Sequence, residues 1–402
     1  MCSDRATHDR SLLLLAAGAK GAIGSTIAAA AVMMAHDPDR VLPGMMSGSL
    51  FPGLGQARAI KVAGWDPAPE PLGEILNRQG ILPEHLWRPH LSDLDSLPIL
   101  PAPDASDSPA RQVEQLVDQI RRLRSQDPGA RAVMVNLLPA SKSIECPEAA
   151  SLAELLGSAA LGEFPDLIYT IAAVRCGVPV VNFTPNCIEL PAVVAAARER
   201  SIPLIGRDGK TGQTYLKVVL ASALKARHLE VDGWYSLNIL GNADGANLMD
   251  PERAAGKLAN KTDLLTDILG YSPGEHYGSP THRVHIDYYP PRGDAKEAWD
   301  VIDFKGIFGL PMSLRVNLVG RDSILAAPMV LDLARWAAAL KLSGRGGLVP
   351  ELAFFFKKPL GDNPPLTFQD QLTAMDLLAE NCHLAGAADG RQHSGRKWPG
   401  AR

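Results

Sequence analysis

Five short apolar runs, separated by stretches of helical periodicity, constrain the fold of the first half of this chain more than any other feature. They are Leu12–Ala16, Ile60–Asp66, Ala132–Leu138, Val178–Phe183 and Pro203–Gly206. Near-continuous apolar runs without in–out alternation suit strands buried on both faces, as in a parallel sheet with helices above and below. The intervening segments supply those helices. Val113, Leu116, Val117, Ile120 and Leu123 form one apolar stripe, the mark of a surface helix. Ser151 and Glu154 stand as a capping box. Gly177 is placed to stop a helix over Asp166–Cys176, and a helix over Ile188–Arg200 precedes the fifth strand. Residues 67–110 are Pro-rich and read as loop with short helices. The expectation is an α/β fold on a parallel sheet.

The first strand runs into G-A-K-G-A-I-G-S-T, expected to be a tight turn over Gly18–Gly24 followed by a helix over Ser25–Ala35. A strand, a Gly-rich turn and a helix N-terminus together can hold a pyrophosphate on backbone N–H groups. The glycines fall three apart, so the spacing is not G-x-G-x-x-G. Asp66, at the end of the second strand, is placed to bind a ribose, although it comes later than the usual ~20 residues. Thr184, in N-F-T-P, follows the carboxyl end of the fourth strand, where ligands of parallel sheets bind.

After Gly206 the rhythm changes. A polar loop over Gly206–Thr211, a helix over Gln213–Arg227, strands over Glu230–Leu240 and Val284–Tyr289, and a helix from Pro251 to about Gly270 suggest an α+β insertion. Met312, Leu314, Val316 and Leu318 alternate with polar residues, as in a strand with one buried face. Asp294 and Asp322 are each expected to end a loop and open a helix, where a carboxylate can accept from free N–H groups. Pro328 is expected to kink the second of these helices. Lys257 and Lys261 share one helix face four residues apart. Lys357 ends the apolar run Leu352–Phe356, so it is expected to be partly desolvated and available as a base, while Lys358 reaches solvent.

The chain has 402 residues, a formal net charge of −4 and 21% charged residues, enough for two domains and with no basic footprint for nucleic acid. Five scattered cysteines without a C-x-x-C pair point to a reducing compartment, and the expected location is the cytoplasm. Leu12–Ala35 is apolar, but Lys20 and three glycines interrupt it, and Asp4 and Asp9 stand where a signal peptide carries positive charge, so neither secretion nor membrane insertion is expected. No metal site is expected: His282 and His285, three apart on a strand, point to opposite faces. A P-loop reading of G-R-D-G-K-T fails because Leu204 stands where its first glycine should be.

Four stretches carry a resemblance. G-D-A-K followed by R-D-S-I-L-A-A-P-M-V-L-D-L, G-R-D-G-K-T-G-Q-T from Gly206, N-I-L-G-N-A-D-G-A-N-L from Asn238 and F-F-F-K-K-P-L from Phe354 resemble the myo-inositol-1-phosphate synthases, over roughly residues 11 to 365. The resemblance implies a Rossmann-type NAD-binding domain (1–205 plus 325–385), an inserted α+β catalytic and tetramerisation domain (206–324) and a disordered tail (386–402). It implies a homotetramer, with Leu216, Val219, Leu220 and Leu224 offering an apolar stripe.

The implied activity is the redox-neutral cyclisation of glucose 6-phosphate. Oxidation at C5 allows loss of a C6 proton, C6 attacks the C1 aldehyde, and NADH returns the hydride. The implied catalytic residues are Lys257, Lys261, Lys296 and Lys357 with Asp208 and Asp322. The four lysines, Thr211 and Asn238 would bind substrate. NAD would lie against Gly18, Gly21, Ala22, Ile23, Gly24, Asp66, Leu138, Thr184, Asp208, Thr211, Asn242, Asp244, Asp294, Asp322 and Ser323. The sequence departs from the family at Lys20, Ala22 and Ile23, where Gly, Asn and Asn are usual, and at Arg207, which replaces an acid. These departures leave two alternatives: a related cyclase or isomerase acting on another sugar phosphate, and an inactive homologue acting as a binding protein.

Overall fold

The computed structural model describes residues 11–37, 51, 54, 60–141, 149, 151–242, 245–246, 249, 264–276 and 278–382. Seven strands form an all-parallel sheet: β1 (Leu12–Ala17), β2 (Ile60–Asp66), β3 (Ile99–Pro101), β4 (Arg131–Asn136), β5 (Val180–Asn182), β6 (Pro203–Gly206) and β13 (Gly347–Leu348). Their order is β3-β2-β1-β4-β5-β6-β13, so the strand order reverses between β1 and β4. Ligands of doubly wound sheets bind beyond the strand ends at such a point.

Both faces of this sheet are covered, which is why β1 shows no polar alternation. Leu12, Leu14 and Ala16 join a core with α1 (Ala22–His36), α2 (Leu72–Gln79) and the short α3 (Glu84–Trp87) and α4 (Leu91–Asp95). Leu13, Leu15 and Ala17 join a second core with α5 (Pro109–Ser125), α6 (Leu152–Gly157), α7 (Pro165–Arg175) and α8 (Pro191–Glu199). Ser151 caps α6, its side chain accepting from the Glu154 N–H at 3.2 Å. Two expectations change. The Pro-rich stretch contains β3, too short for a periodicity to reveal, and α1 begins at Ala22 rather than Ser25.

Beyond β6 the chain leaves this sheet. α9 (Gln213–Ala226) packs on a four-stranded sheet of β7 (Glu230–Leu240), β10 (His282–Tyr288), β11 (Ala295–Lys305) and β12 (Pro311–Arg321), ordered β10-β7-β11-β12. β8 (Glu275–His276) and β9 (Ser279–Pro280) pair as a small ribbon nearby. β10 runs parallel to β7, whereas β11 is antiparallel to both β7 and β12. Val218, Ala221, Trp234, Leu265, Ile268 and Ile302 form the core beneath this sheet.

The chain then returns to the first sheet with α10 (Asp322–Leu342), followed by β13 and α11 (Phe368–Asn381). α10 is long and apolar enough to cross a membrane, yet most of it is buried in the core that holds α1. It runs unbroken through Pro328. Asp294 precedes a strand, not the expected helix: β11 pairs with β12 over its whole length, from Ala295↔Arg321 to Lys305↔Pro311. Cross-strand pairing overrides the helix-like run A-K-E-A. Asp322 does open a helix, but directly from β12 without a loop. The Leu314, Val316 and Leu318 face of β12 is half-buried, and Met312 is exposed.

Candidate active site

A cavity of about 540 Å³ opens where the carboxyl ends of β1, β4 and β5 meet α9 and the second sheet. One wall is the start of α1: Gly21, Ala22, Ile23 and Gly24 line it. Among the described residues no side chain caps this 15-residue helix, and Gly21 is its N-cap, which suits its first N–H groups to an anion. The glycines have distinct steric reasons. Gly18 sits at φ +85°, and a Cβ on Gly24 would come 2.6 Å from the Gly18 and Ala19 carbonyl oxygens. Gly18 itself does not line the cavity; it turns the chain so that its own N–H and that of Ala19 donate to Trp65 O.

Asp66 also lies outside the lining. Its Oδ2 accepts from Lys20 N at 2.8 Å and its Oδ1 from Ala68 N at 3.0 Å. Lys20 Nζ donates to the Ala68 and Glu70 carbonyls, both at 2.7 Å. The residue that departs from the family's usual glycine therefore ties the Gly-rich turn to the segment after β2. Arg207 is likewise outside the lining and pairs with Glu189 at 3.1 Å.

The loop after β4, including Leu138, and Thr184 after β5 form the next wall. They are fixed from behind by a buried cluster. Asp166 accepts from Asn136 Nδ2 at 2.5 Å, from Asn186 Nδ2 at 3.0 Å and from Thr184 Oγ1 at 3.3 Å. Burial raises the Asp166 pKa, against the pull of these donors.

The remaining wall carries charge. Lys357 Nζ donates to Asp208 Oδ1 at 2.8 Å, and Lys357 N donates to Asp208 O at 2.7 Å. Asp208 is held at φ +61°, and its Oδ2 is buried without a hydrogen-bond partner among the described residues. Asp322, first residue of α10, accepts from Lys296 Nζ at 3.0 Å and from Thr211 Oγ1 at 3.1 Å. Burial opposes its charge, but Lys296, Lys357 and Thr211 outweigh this and hold its pKa below the usual range. Asp294 stands just behind the lining, accepting from Ser323 Oγ at 3.3 Å. Burial raises its pKa, with Arg321 opposing and Asp322 adding to the rise. Ser323, Asn238 and Asn242 line the cavity with Thr211.

Most of the sequence-derived site thus converges on one cavity. Lys257, Lys261 and Asp244 lie outside the described residues. Lys357 is half-buried as expected, and its amine meets the Asp208 carboxylate; Lys358 is exposed. The sequence reading missed Gln213 in the lining and the buried groups behind it. The period-two row Trp234, Ser236, Asn238 on β7 was the available signal, because alternate strand residues share a face. Among the described residues, the one imidazole–carboxylate group compact enough for a metal ion is His36, His90 and Asp93, on the surface and outside the cavity lining.

The sequence profile of the family described as myo-inositol-1-phosphate synthase matches residues 212–323. Inositol-3-phosphate synthase 1 of Bacteroides thetaiotaomicron is 43% identical over 202 residues, 49% of this chain and 47% of that protein. Inositol-3-phosphate synthase of Spirodela polyrhiza is 28% identical over 316 residues, 71% of this chain and 61% of that protein. The chain spans about half to three-fifths of the length of these relatives. The crystal structure of inositol-3-phosphate synthase from Caenorhabditis elegans superposes with a TM-score of 0.78 at 20% identity, covering 98% of this chain and 90% of that one. A myo-inositol-1-phosphate synthase-related protein from Thermotoga maritima gives 0.73 at 22% identity, covering 93% and 98%. These two superpositions show a shared α/β fold. The profile match and the sequence relatives show that this chain is similar in sequence to the myo-inositol-1-phosphate synthases.

Proposed function

We propose that this chain is an NAD-dependent inositol-3-phosphate synthase that cyclises glucose 6-phosphate. The observation that carries this reading is the pairing of Lys296 and Lys357 with carboxylates in a cavity that also buries two acceptors without a donor among the described residues, Asp208 Oδ2 and Asn238 Oδ1. Buried acceptors without donors are costly, and the hydroxyls of a sugar supply donors. The cations suit a phosphate and the oxygens that gain negative charge during enolisation and ring closure.

The uncapped start of α1 and the close Gly24 contact fit a dinucleotide pyrophosphate, and NAD held there would supply the hydride acceptor and donor. Lys357 would move the proton at its Nζ, with Asp208 orienting it. Lys296 would hold the phosphate or a developing oxyanion, with Asp322 as its counter-charge. Lys257 and Lys261 would complete the cationic set, and Asp244 would join the cofactor contacts. Incubation with glucose 6-phosphate and NAD, with the product identified by NMR, tests the reading: no inositol phosphate with either nucleotide sinks it.

NAD is proposed over NADP because Asp66, if it faces the ribose from its place outside the cavity lining, would repel a 2′-phosphate; tighter NADP in a comparative titration removes Asp66 from that role. The proposed domains are 1–205 with 325–385, and 206–324, in keeping with the return of α10 to the first core; limited proteolysis that cuts within either unit before the connections counts against them. A homotetramer is proposed, formed on the second sheet. Tyr235, Trp299 and Val319 are exposed there, as are Ile307, Phe308 and Leu310 at the β11–β12 turn. The α9 stripe named from the sequence is more covered, with Leu224 buried. A monomer by light scattering at micromolar concentration would contradict this. The proposed location is the cytoplasm, consistent with the free thiols of Cys176 and Cys382; cell fractionation tests it.

A further inference from the structure

Behind the cavity, between α9 and the second sheet, lies a buried chain of polar groups whose hydrogen-bond directions can be deduced. Asp300 of β11 lies opposite Ser236 of β7. Its Oδ1 accepts from Trp234 Nε1 at 2.7 Å and from Ser236 Oγ at 2.5 Å, and its Oδ2 from Gln213 Nε2 at 2.9 Å. Gln213 Oε1 in turn accepts from Asn238 Nδ2 at 2.6 Å. Asn238 is 1% exposed and lines the cavity, and its Oδ1 has no hydrogen-bond partner among the described residues.

An amide can be turned either way, so its orientation must come from its neighbours. Here the direction starts at groups with one possible role. The Trp234 indole N–H can only donate, and a carboxylate can only accept. Gln213 must therefore turn its NH2 to Asp300 and its oxygen to Asn238. Asn238 must turn its NH2 to Gln213, which leaves its oxygen as the group offered to a ligand. A buried cation adjoins this chain of groups. Lys217 is 3% exposed, donates to His282 Nε2 at 2.9 Å and lies 5.4 Å from the Trp234 ring centre. Burial lowers the Lys217 pKa to about 8, with Asp300 acting in the opposite direction. Burial and then Lys217 lower His282 to about 3, so the imidazole stays neutral beside the ammonium.

We propose that Asp300 is a positioning residue that sets the amide polarity of Gln213 and Asn238, so that the cavity presents Asn238 Oδ1 as an acceptor for one hydroxyl of the ligand. A carbonyl or phosphate oxygen at that position would meet another acceptor and be disfavoured. The identity of the hydroxyl donor rests on the sugar-phosphate reading above; the polarity does not.

The test is Asp300→Asn, which alters neither Gln213 nor Asn238. The amide introduced there still accepts from Trp234 and Ser236 through its oxygen and now offers an NH2 to Gln213. Gln213 reverses, Asn238 reverses after it, and an NH2 faces the cavity. Neutron diffraction from deuterium-exchanged crystals of the wild-type chain and the variant locates the amide deuteriums directly. Calorimetric titration with glucose 6-phosphate and its 2-, 3- and 4-deoxy analogues, with NAD present, reads the consequence. In the wild type, removing one particular hydroxyl weakens binding by about 10-fold or more; in the variant that penalty falls to about 2-fold or less. A purely structural role would lower the melting temperature and leave the ratio unchanged, which overturns the proposal. So does a wild-type crystal with the Asn238 deuteriums facing the cavity, a result readable even if Asp300→Asn does not fold. If the deuteriums follow the deduced directions but no sugar phosphate binds the wild type, the polarity assignment stands and the sugar-phosphate reading fails.

Discussion

Lys210 offers a test of the energetics that is independent of activity. It is 2% exposed, and no acid pairs with its amine among the described residues: Nζ donates to Gln371 Oε1 at 3.0 Å and Ala353 O at 3.3 Å. Burial lowers its pKa from 10.5 to about 7. Between those two values the unfolded chain binds more protons at this site than the folded one, so stability rises with pH across the window. At ~1.36 kcal/mol per unit, the shift costs on the order of 5 kcal/mol below pH 7, a cost that disappears above about pH 10.5. Lys210→Met removes it but strips a donor from Gln371 and Ala353, a loss of about 1–3 kcal/mol. The expected outcome is a variant more stable than the wild type by roughly 2 kcal/mol at pH 7 and less stable than it near pH 10. Urea unfolding at pH 6.5, 8 and 9.5 measures the crossing. A difference that does not change with pH, or a loss of stability at pH 7, would refute the burial argument.

Lys357→Ala is expected to lower turnover by ~10²-fold or more with the fold intact; Lys357→Arg should be nearly as damaging because a guanidinium carries no removable proton, and Lys358→Ala should do little. Rescue by arginine in steady-state kinetics would reduce Lys357 to a charge clamp. Asp322→Asn should cost stability at neutral pH, because the folded pKa of Asp322 lies below its ordinary value. That contribution is present above about pH 4 and is lost as pH falls through the folded pKa. Chemical unfolding of both proteins at pH 3 and pH 7 would contradict this if the gap were the same at both. Gly24→Ala should destabilise the chain by about 1–3 kcal/mol, since its Cβ would press on two backbone carbonyls; thermal melts at wild-type values would show that the contact relaxes freely.

The parallel sheet was legible because its strands are buried on both faces, and runs such as Leu12–Ala17 have no other economical reading. β3 was not, since three residues ending in a proline carry no period. G-D-A-K-E-A-W-D misled because local propensity favours a helix there, whereas pairing along β12 and the apolar contacts of Ala298 and Ile302 decide for a strand. The site was legible mainly where polar groups interrupt apolar runs or open elements, as at Lys357, Lys296 and Asp322. Asp300 and Lys217 were hidden by their own packing. A buried carboxylate on a strand and a buried amine on a helix look like surface residues until the tertiary structure brings them within reach of Trp234.

The position of Asp322 links the first core to the chemistry proposed for the cavity. β12 ends at Arg321 and α10 begins at the next residue, so no loop can absorb a shift between the second sheet and the first core. Val330, Leu333, Ala334 and Ala337 of α10 are fully buried among the residues of β1 and α1, which fixes the helix axis. Its first residue is then held where Lys296, from β11, and Thr211, just before α9, both reach it. A carboxylate at a helix N-terminus gains from the helix dipole as well as from the lysine, so two independent favourable terms offset its burial. Packing of the first sheet therefore sets the distance between Asp322 and Lys296, and repacking α10 far from the cavity, for instance at Trp336, should disturb the Lys296 pair before any cavity residue is touched.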